Sequence, residues 1–340
     1  MAFYNASLSG GGSGSAIACP LGKLVADGGV SVSTLPYNFF YGCAVVYNNE
    51  IHILGGNENS SGYQKHYKWN GTYWESVSTL PYGFYKGSAV VWNNEIHILG
   101  SVNSSGTYRK HYKWNGSSWS SVSTLPYNFY LGSAVVYNGE IHIIGGGDNS
   151  TKHYKWNGST WSSVSTLPYD FYLGSAVVLN NEIHILGSNH SSYYTKHYKW
   201  NGSTWTSVST LPYNFYEGCV VVYNNEIHIM GSYNGAVSSN KKAHYKYNGS
   251  SWVNVSTLPY DFYDGCAVVY DKFIHILGSY NSNYYTSHYS LKSGTFLIGY
   301  AKKDTDIYYP ISSTAITDNL QATTDGYKVT ADGKVEIMNL

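Results

Sequence analysis

The thirteen histidines are the side chains here with the widest chemical repertoire, and their spacing decides what they can do. Six sit in Ile-His-Ile triplets, at His52, His97, His142, His184, His228 and His275. Six more open His-Tyr pairs, at His66, His111, His153, His197, His244 and His288. A metal site needs several ligands within ~2.3 Å of one ion. Histidines spread evenly over six copies of a repeat cannot converge unless they line an axis, so the expectation is structural: rings satisfied between packed strands. The thirteenth, His190, lies where the copies differ and is a candidate ligand contact. Tryptophan pairs such as Trp114 with Trp119 and Trp156 with Trp161 would suit sugar stacking, but their repetition points to packing between repeats. Carboxylates are few and mostly occupy turns, as at Glu50, Glu95, Glu140, Glu182 and Glu226. No Gly-rich phosphate loop and no off-pattern cluster of Cys, His and Tyr stands out, so no catalytic residue, metal or cofactor is assigned.

The elements that hold these residues follow from an internal repeat. Leu-Pro-Tyr begins at Leu35, Leu80, Leu125, Leu167, Leu211 and Leu258, and Ile-His-Ile starts sixteen residues after each. Each unit reads as four strands. The run Gly132-Ser133-Ala134-Val135-Val136-Tyr137 lacks polar alternation, as expected of a strand covered on both faces. Asn138-Gly139 is a hairpin signal, and the other units place Asn-Asn or Asp271-Lys272 there. A second strand with the buried histidine follows, then a polar loop, a His-Tyr-Lys-Trp strand, an Asn-Gly turn and a fourth strand. Six such units predict an all-β, six-bladed propeller with four antiparallel strands per blade. Val30-Ser31-Val32-Ser33-Thr34 matches the fourth strand of the other units, which the sixth unit lacks, so an N-terminal strand is expected to close the ring. The domains read as a Gly/Ser-rich tether over 1–23, the propeller over 24–298 and a short β appendage over 299–340. Within the appendage, residues 327–337 read as a hairpin.

Equivalent positions can be compared across the six copies, and two sets disagree. The first precedes the glycine of each first strand: Tyr41, Lys86, Leu131, Leu173, Glu217 and Asp264. The second lies in the loop between strands two and three: Tyr63, Tyr108, Asp148, His190 and Tyr193, then Tyr233, Tyr280 and Tyr284. Strand direction alternates within a blade, so both sets should meet on one face, round the mouth of the central channel. Tyr, Ser, Gly and Asn dominate these loops. Antibody paratopes use the same mixture, because Tyr gives rigid amphipathic contact and Ser or Asn give adaptable hydrogen bonds.

The order of small-apolar strand, Ile-His-Ile-Leu-Gly strand, Tyr-x-Trp, a second Trp and Leu-Pro resembles the kelch repeat over residues 30–296. The resemblance implies a propeller and little about function, since kelch propellers serve as adaptors, actin binders and sugar oxidases. This chain lacks the arginine that kelch units often carry after Leu-Pro, having Asn-Phe or Asp-Phe, as at Asn128 and Asp170. The second glycine of the doublet persists at Gly56 and Gly146 but is Ser at Ser101, Ser188, Ser232 and Ser279.

Composition narrows the partners. Lys+Arg and Asp+Glu balance at 20 each, so no basic field exists to attract nucleic acid. Charged residues make up 12% of the chain, against roughly 25% in an average soluble protein, while Tyr reaches 37. No 18-residue apolar run argues for membrane insertion, and the first twenty residues do not read as a secretory signal, so synthesis in a cytoplasm is expected. Cys43, Cys219 and Cys266 share one repeat position with Ser and read as small buried thiols. The expected function is a non-catalytic binding propeller recognising a glycan or surface protein through the Tyr-rich loops of one face. The termini would attach it to a larger assembly such as a phage tail or other virion. The alternatives are an intracellular kelch scaffold for protein partners and a kelch-type oxidase or other propeller enzyme.

Overall fold

The computed structural model describes residues 17–18, 22–25, 29–56, 64–102, 107–147, 151–189, 194–233, 238–281, 283–291, 295–298, 301–303, 306–308, 325–329 and 335–339. They fall into two compact units, Gly28–Leu291 and a second combining Met1–Asp27 with Lys292–Leu340.

The first unit is a six-bladed propeller. Blade one is an antiparallel sheet of Cys43–Tyr47, Glu50–Leu54, Lys65–Trp69 and Trp74–Thr79, in sequence order. Blades two to five repeat it, with first strands at Ser88–Trp92, Ser133–Tyr137, Ser175–Leu179 and Cys219–Tyr223. In blade six, Cys266–Tyr270, Phe273–Leu277 and Ser287–Leu291 are completed by Val30–Thr34, which pairs Ser287 with Thr34 and His288 with Ser33. The N-terminal strand closes the ring, as the sequence led us to expect. First strands of neighbouring blades lie side by side all round, blade six against blade one. Helix is confined, among the described residues, to the short 3-10 turns Thr107–Arg109 and Ser238–Lys242.

Local chemistry explains the blade. Type I′ hairpins need positive φ at both central residues, which Asn tolerates; Asn48 and Asn49 have φ of 50° and 60°, and Asn138 and Gly139 have 48° and 76°. In the outer turn the Asn70 Oδ1 accepts the backbone N–H of Thr72 and Tyr73 at 2.9 and 3.0 Å, which fixes the chain reversal. The first glycine of the doublet is obligatory. A Cβ on Gly100, at φ 64°, would lie 1.9 Å from the Phe129 carbonyl oxygen of the next blade's entry segment. The entry segments carry the core. Leu80, Tyr82 and Phe84 wedge Val45 and Leu54 of blade one against Ile96, Ile98 and Trp114 of blade two. The Tyr82 hydroxyl, buried there, donates to the Gly100 carbonyl at 3.0 Å.

The second unit contains a five-stranded antiparallel sheet ordered Ile17–Ala18, Ala301–Lys303, Asp306–Tyr308, Asp325–Val329 and Val335–Asn339. Its last two strands pair as the terminal hairpin, Tyr327 opposite Ile337. Gly22–Val25 pairs with Thr295–Ile298, so the segment where tether and propeller meet in the sequence reading forms a strand of this unit. No described helix is long and apolar enough to cross a membrane.

Candidate functional site

Each entry segment ends in a residue that turns the chain into the innermost strand, just before a glycine. The six positions are Tyr41, Lys86, Leu131, Leu173, Glu217 and Asp264, and all adopt left-handed backbone with φ of 55° to 59°. Such a conformation costs of order 1–3 kcal/mol in a non-glycine residue and persists only where the surroundings enforce it. Here the enforcement is a closed circle of hydrogen bonds. The Tyr41 N–H donates to the Asp264 carbonyl at 2.7 Å, Lys86 to Tyr41 at 2.8 Å, Leu131 to Lys86 at 2.8 Å and Leu173 to Leu131 at 2.8 Å. Glu217 donates to Leu173 at 2.9 Å and Asp264 to Glu217 at 2.7 Å, which completes the circle.

All six side chains line one cavity of about 190 Å³ at this end of the axis. A water takes about 30 Å³ of liquid, so the space suits a group of sugar-ring size. Going round the circle, Glu217, Asp264, Tyr41 and Lys86 are consecutive, leaving Leu131 and Leu173 as an apolar third. The backbone is six-fold; its chemistry is one-sided.

The polar side is tightly organised. Asp264 is only 8% exposed, and the Tyr41 hydroxyl hydrogen-bonds to its carboxyl. One oxygen of that carboxyl, Oδ2, is buried without a partner. Burial, followed by the neighbouring Glu217 charge, pushes Asp264 well above the usual carboxylate range. Burial also raises Glu217, against a smaller opposing pull from Lys86. The Lys86 ammonium rests 4.0 Å from the Tyr41 ring centroid and 5.2 Å from that of Tyr85.

An arc of aromatic rings borders this polar side. Tyr85, Tyr41, Tyr280, Tyr263, Tyr233 and Tyr216 follow one another with centroids 5.2, 5.5, 6.3, 5.2 and 6.2 Å apart. The arc continues to Tyr194, stacked on Tyr216 at 5.3 Å. Lys241 lies over Tyr233 and Tyr263 at 5.6 and 5.1 Å.

The structure therefore brings together the six entry positions and, from the loops, Tyr233 and Tyr280. Tyr108 instead pairs with Tyr130 at 5.3 Å, and its carbonyl holds the Phe129 N–H. Tyr284 stacks on buried Tyr260 at 4.9 Å, in the core cluster of blades five and six. Tyr63, Asp148, His190 and Tyr193 lie outside the described residues. Sequence reasoning missed Tyr85, Tyr216 and Tyr263. They belong to an aromatic position repeated in every copy, and their one signal was that each immediately precedes a variable residue.

The repeated histidines have another occupation. His52 Nδ1 meets His66 Nε2 at 2.8 Å, and His66 Nδ1 meets the Ser78 hydroxyl at 2.8 Å. Ser78 Oγ also accepts the Trp119 indole N–H of the next blade at 3.0 Å. The donors run one way: the indole gives to Ser78, its hydroxyl to His66, and the His66 Nε2 proton to His52. This order holds only while both rings are neutral. Burial favours that state, lowering His52 to about 4 and His66 to about 3. Among the described residues, no group of three His, Cys, Asp or Glu is placed to hold a metal. The thiols are equally committed: Cys219 and Cys266 donate to the Gly265 and Gly42 carbonyls at 3.1 and 3.2 Å, and burial pushes Cys43 up to about 12.

No family model and no curated protein sequence matches this chain. Among solved structures, that of YjhT is similar in fold, with a TM-score of 0.65 over 82% of this chain and 99% of its own. Sequence identity between the two is 14%.

Proposed function

We propose that this chain is a non-catalytic binding propeller that recognises a carbohydrate through the tyrosine-bordered end of its axis. The observation that carries the reading is the convergence of six residues of five types on one cavity, inside a backbone frame that is the same in every blade. Stacking rings beside hydroxyl, carboxyl and amine groups suit a polyhydroxylated ring, whose CH face packs on an aromatic while its hydroxyls find acceptors. The 12% charged fraction agrees with recognition by shape and hydrogen bonding rather than by long-range steering. On this reading the kelch-like repeat is a scaffold for receptor recognition, and attachment to a larger particle such as a phage tail would pass through the termini.

A glycan array followed by calorimetry tests it. Wild-type protein should bind a defined glycan, and Tyr233→Ala or Tyr280→Ala should weaken binding by about 1–3 kcal/mol per stacking ring lost. A flat array, with a protein partner recovered instead, would replace carbohydrate by a protein epitope. One observation favours a second reading, a propeller enzyme: Glu217 and Asp264 are two acids held in unlike surroundings beside a tyrosine, as proton transfer requires. Recovery of the bound glycan chemically unchanged, followed by NMR, separates binding from turnover.

A further inference from the structure

We propose that the axial cavity holds a subsite for a protonated amine, seated between the Asp264 and Glu217 carboxyls, so that the glycan recognised is one bearing a free amino group. The inference rests on the carbohydrate reading above for the rest of its ligand, but the amine subsite has its own support.

The first support is the unmet acceptor. Asp264 Oδ2 is buried and lacks a partner, and among the described residues Tyr41 is the one side chain hydrogen-bonded to this carboxyl. A buried acceptor left empty is costly, and a charged donor relieves it best. The second is charge balance. Two carboxyls and one ammonium, Lys86, line the cavity; one more cation would make the ionised set neutral. The described ion pairs with lysine lie elsewhere, between third-strand lysines and glutamates of the second or fourth strand, such as Lys113 with Glu95 and Lys68 with Glu75. Without that cation, burial keeps protons on the two acids. The third is that the aromatic border already accepts cations. Lys86 and Lys241 each lie over two of its tyrosine rings. The leucines on the far side offer only apolar contact, so an amine entering this cavity finds its partners at Glu217 and Asp264.

The test is calorimetric titration at pH 7 of wild type, Asp264→Asn and Glu217→Gln with glucosamine, N-acetylglucosamine and cyclohexylamine. Both substitutions keep side-chain shape and remove a carboxyl that could ionise against the amine, and thermal melts verify that the fold is retained. The inference expects glucosamine to bind wild type at least about tenfold more tightly than its N-acetyl form, and that preference to fall to within about twofold in each variant. Equal or better binding of N-acetylglucosamine, or a preference that survives in either variant, overturns it. Cyclohexylamine separates the two readings. If it binds wild type and is lost in both variants while neither sugar binds, the amine subsite stands and carbohydrate recognition falls. If neither amine binds wild type, the subsite falls whatever the glycan array shows.

Discussion

Two sets of residues occupy equivalent places in every blade and behave in opposite ways. The histidine pairs between blades are the same six times over, whereas the six axial positions hold five residue types. Both are buried or half-buried, and both belong to hydrogen-bonded systems that link one blade to the next. The difference lies in which atoms make the links. In the scaffold the links run through side chains, His to His to Ser within a blade and, in five of the six copies, Ser to the Trp of the next, so removing the serine strips both of its neighbours of a partner. At the axis the backbone makes the links, N–H to carbonyl round a circle, and the side chains are released to vary. A propeller can diversify its axial residues at no cost to the frame only where the frame is main chain.

The largest test of this contrast is acid. Eleven of the twelve paired histidines are held at about 3 or about 4, against 6.5 in the unfolded chain. A folded value below the unfolded one means the unfolded chain binds more protons in that window, so stability rises with pH through it. The full stability is present above about pH 6.5 and drains away as the pH falls towards 4. At pH 5 each ring costs about 2 kcal/mol. Even with half of that relieved by relaxation, eleven rings exceed about 10 kcal/mol, the scale of a whole domain's stability. Circular dichroism melts from pH 7.5 to 4.5 should show cooperative loss of the fold between about pH 6 and 5. A melting temperature that stays level to pH 4.5 would show that the side-chain links carry little.

Next in size is the glycine at which one blade's strand meets the next blade's entry segment. Gly100→Ala places a methyl carbon 1.9 Å from the Phe129 carbonyl at a φ of 64°, so backbone on both sides must move. A loss above about 3 kcal/mol in urea denaturation is expected, combining left-handed strain with the clash. Gly139→Ala is the control. It shares a positive φ, 76°, but its Cβ would meet nothing within 4 Å, so only about 1 kcal/mol should be lost.

Smaller again is a comparison of two serines. Ser78→Ala strips His66 of a hydrogen bond and leaves the half-buried Trp119 indole without its acceptor. Ser256 holds His244 at 3.1 Å in the same way, but Gly29 stands in the register place of the next blade's tryptophan, opposite Leu291 where Trp74 stands opposite Trp69. Ser78→Ala should therefore cost about 2 kcal/mol and Ser256→Ala about half as much. Equal losses would mean the indole link between blades contributes nothing.

Six internal copies stand in for an alignment, which is why so much was legible. The repeat and its Asn-Gly turns specify four strands per blade, and the unmatched Val30–Thr34 specifies the closure. Disagreement among copies pointed to Tyr41, Lys86, Leu131, Leu173, Glu217 and Asp264 as one set. Their chemistry as a group was not read. Glu217 and Asp264 are 47 residues apart in the chain, and the repeat period is what makes them neighbours at the axis. Equivalent positions on consecutive blades should thus be read as adjacent, not merely as comparable. The histidine chains were hidden for a different reason. His52 and His66 stand diagonally across two strands, opposite Lys68 and Leu54, and the loop between them varies in length. Periodicity put both in the interior without showing that they meet. Loop residues were least legible of all: Tyr284 turned into the core because Tyr260 offers a buried stacking face.

The finest test asks whether the axial acids are there for the frame or for a ligand. A carboxyl with an empty, buried oxygen beside a second acid destabilises the protein that carries it, whereas the backbone circle needs only the Asp264 N–H and carbonyl. Asp264→Asn keeps both main-chain groups, tolerates left-handed backbone as well as Asp does, and removes the like-charge repulsion from Glu217. It should raise stability by about 1 kcal/mol in urea denaturation at pH 8, where the acids are under the strongest pressure to ionise. The same substitution at a repeated scaffold position would lower it. A gain in stability coupled to a loss of ligand affinity would mark Asp264 as retained for binding. A loss of stability would instead make its carboxyl part of the frame, and the division between side-chain links and main-chain links would no longer separate scaffold from site.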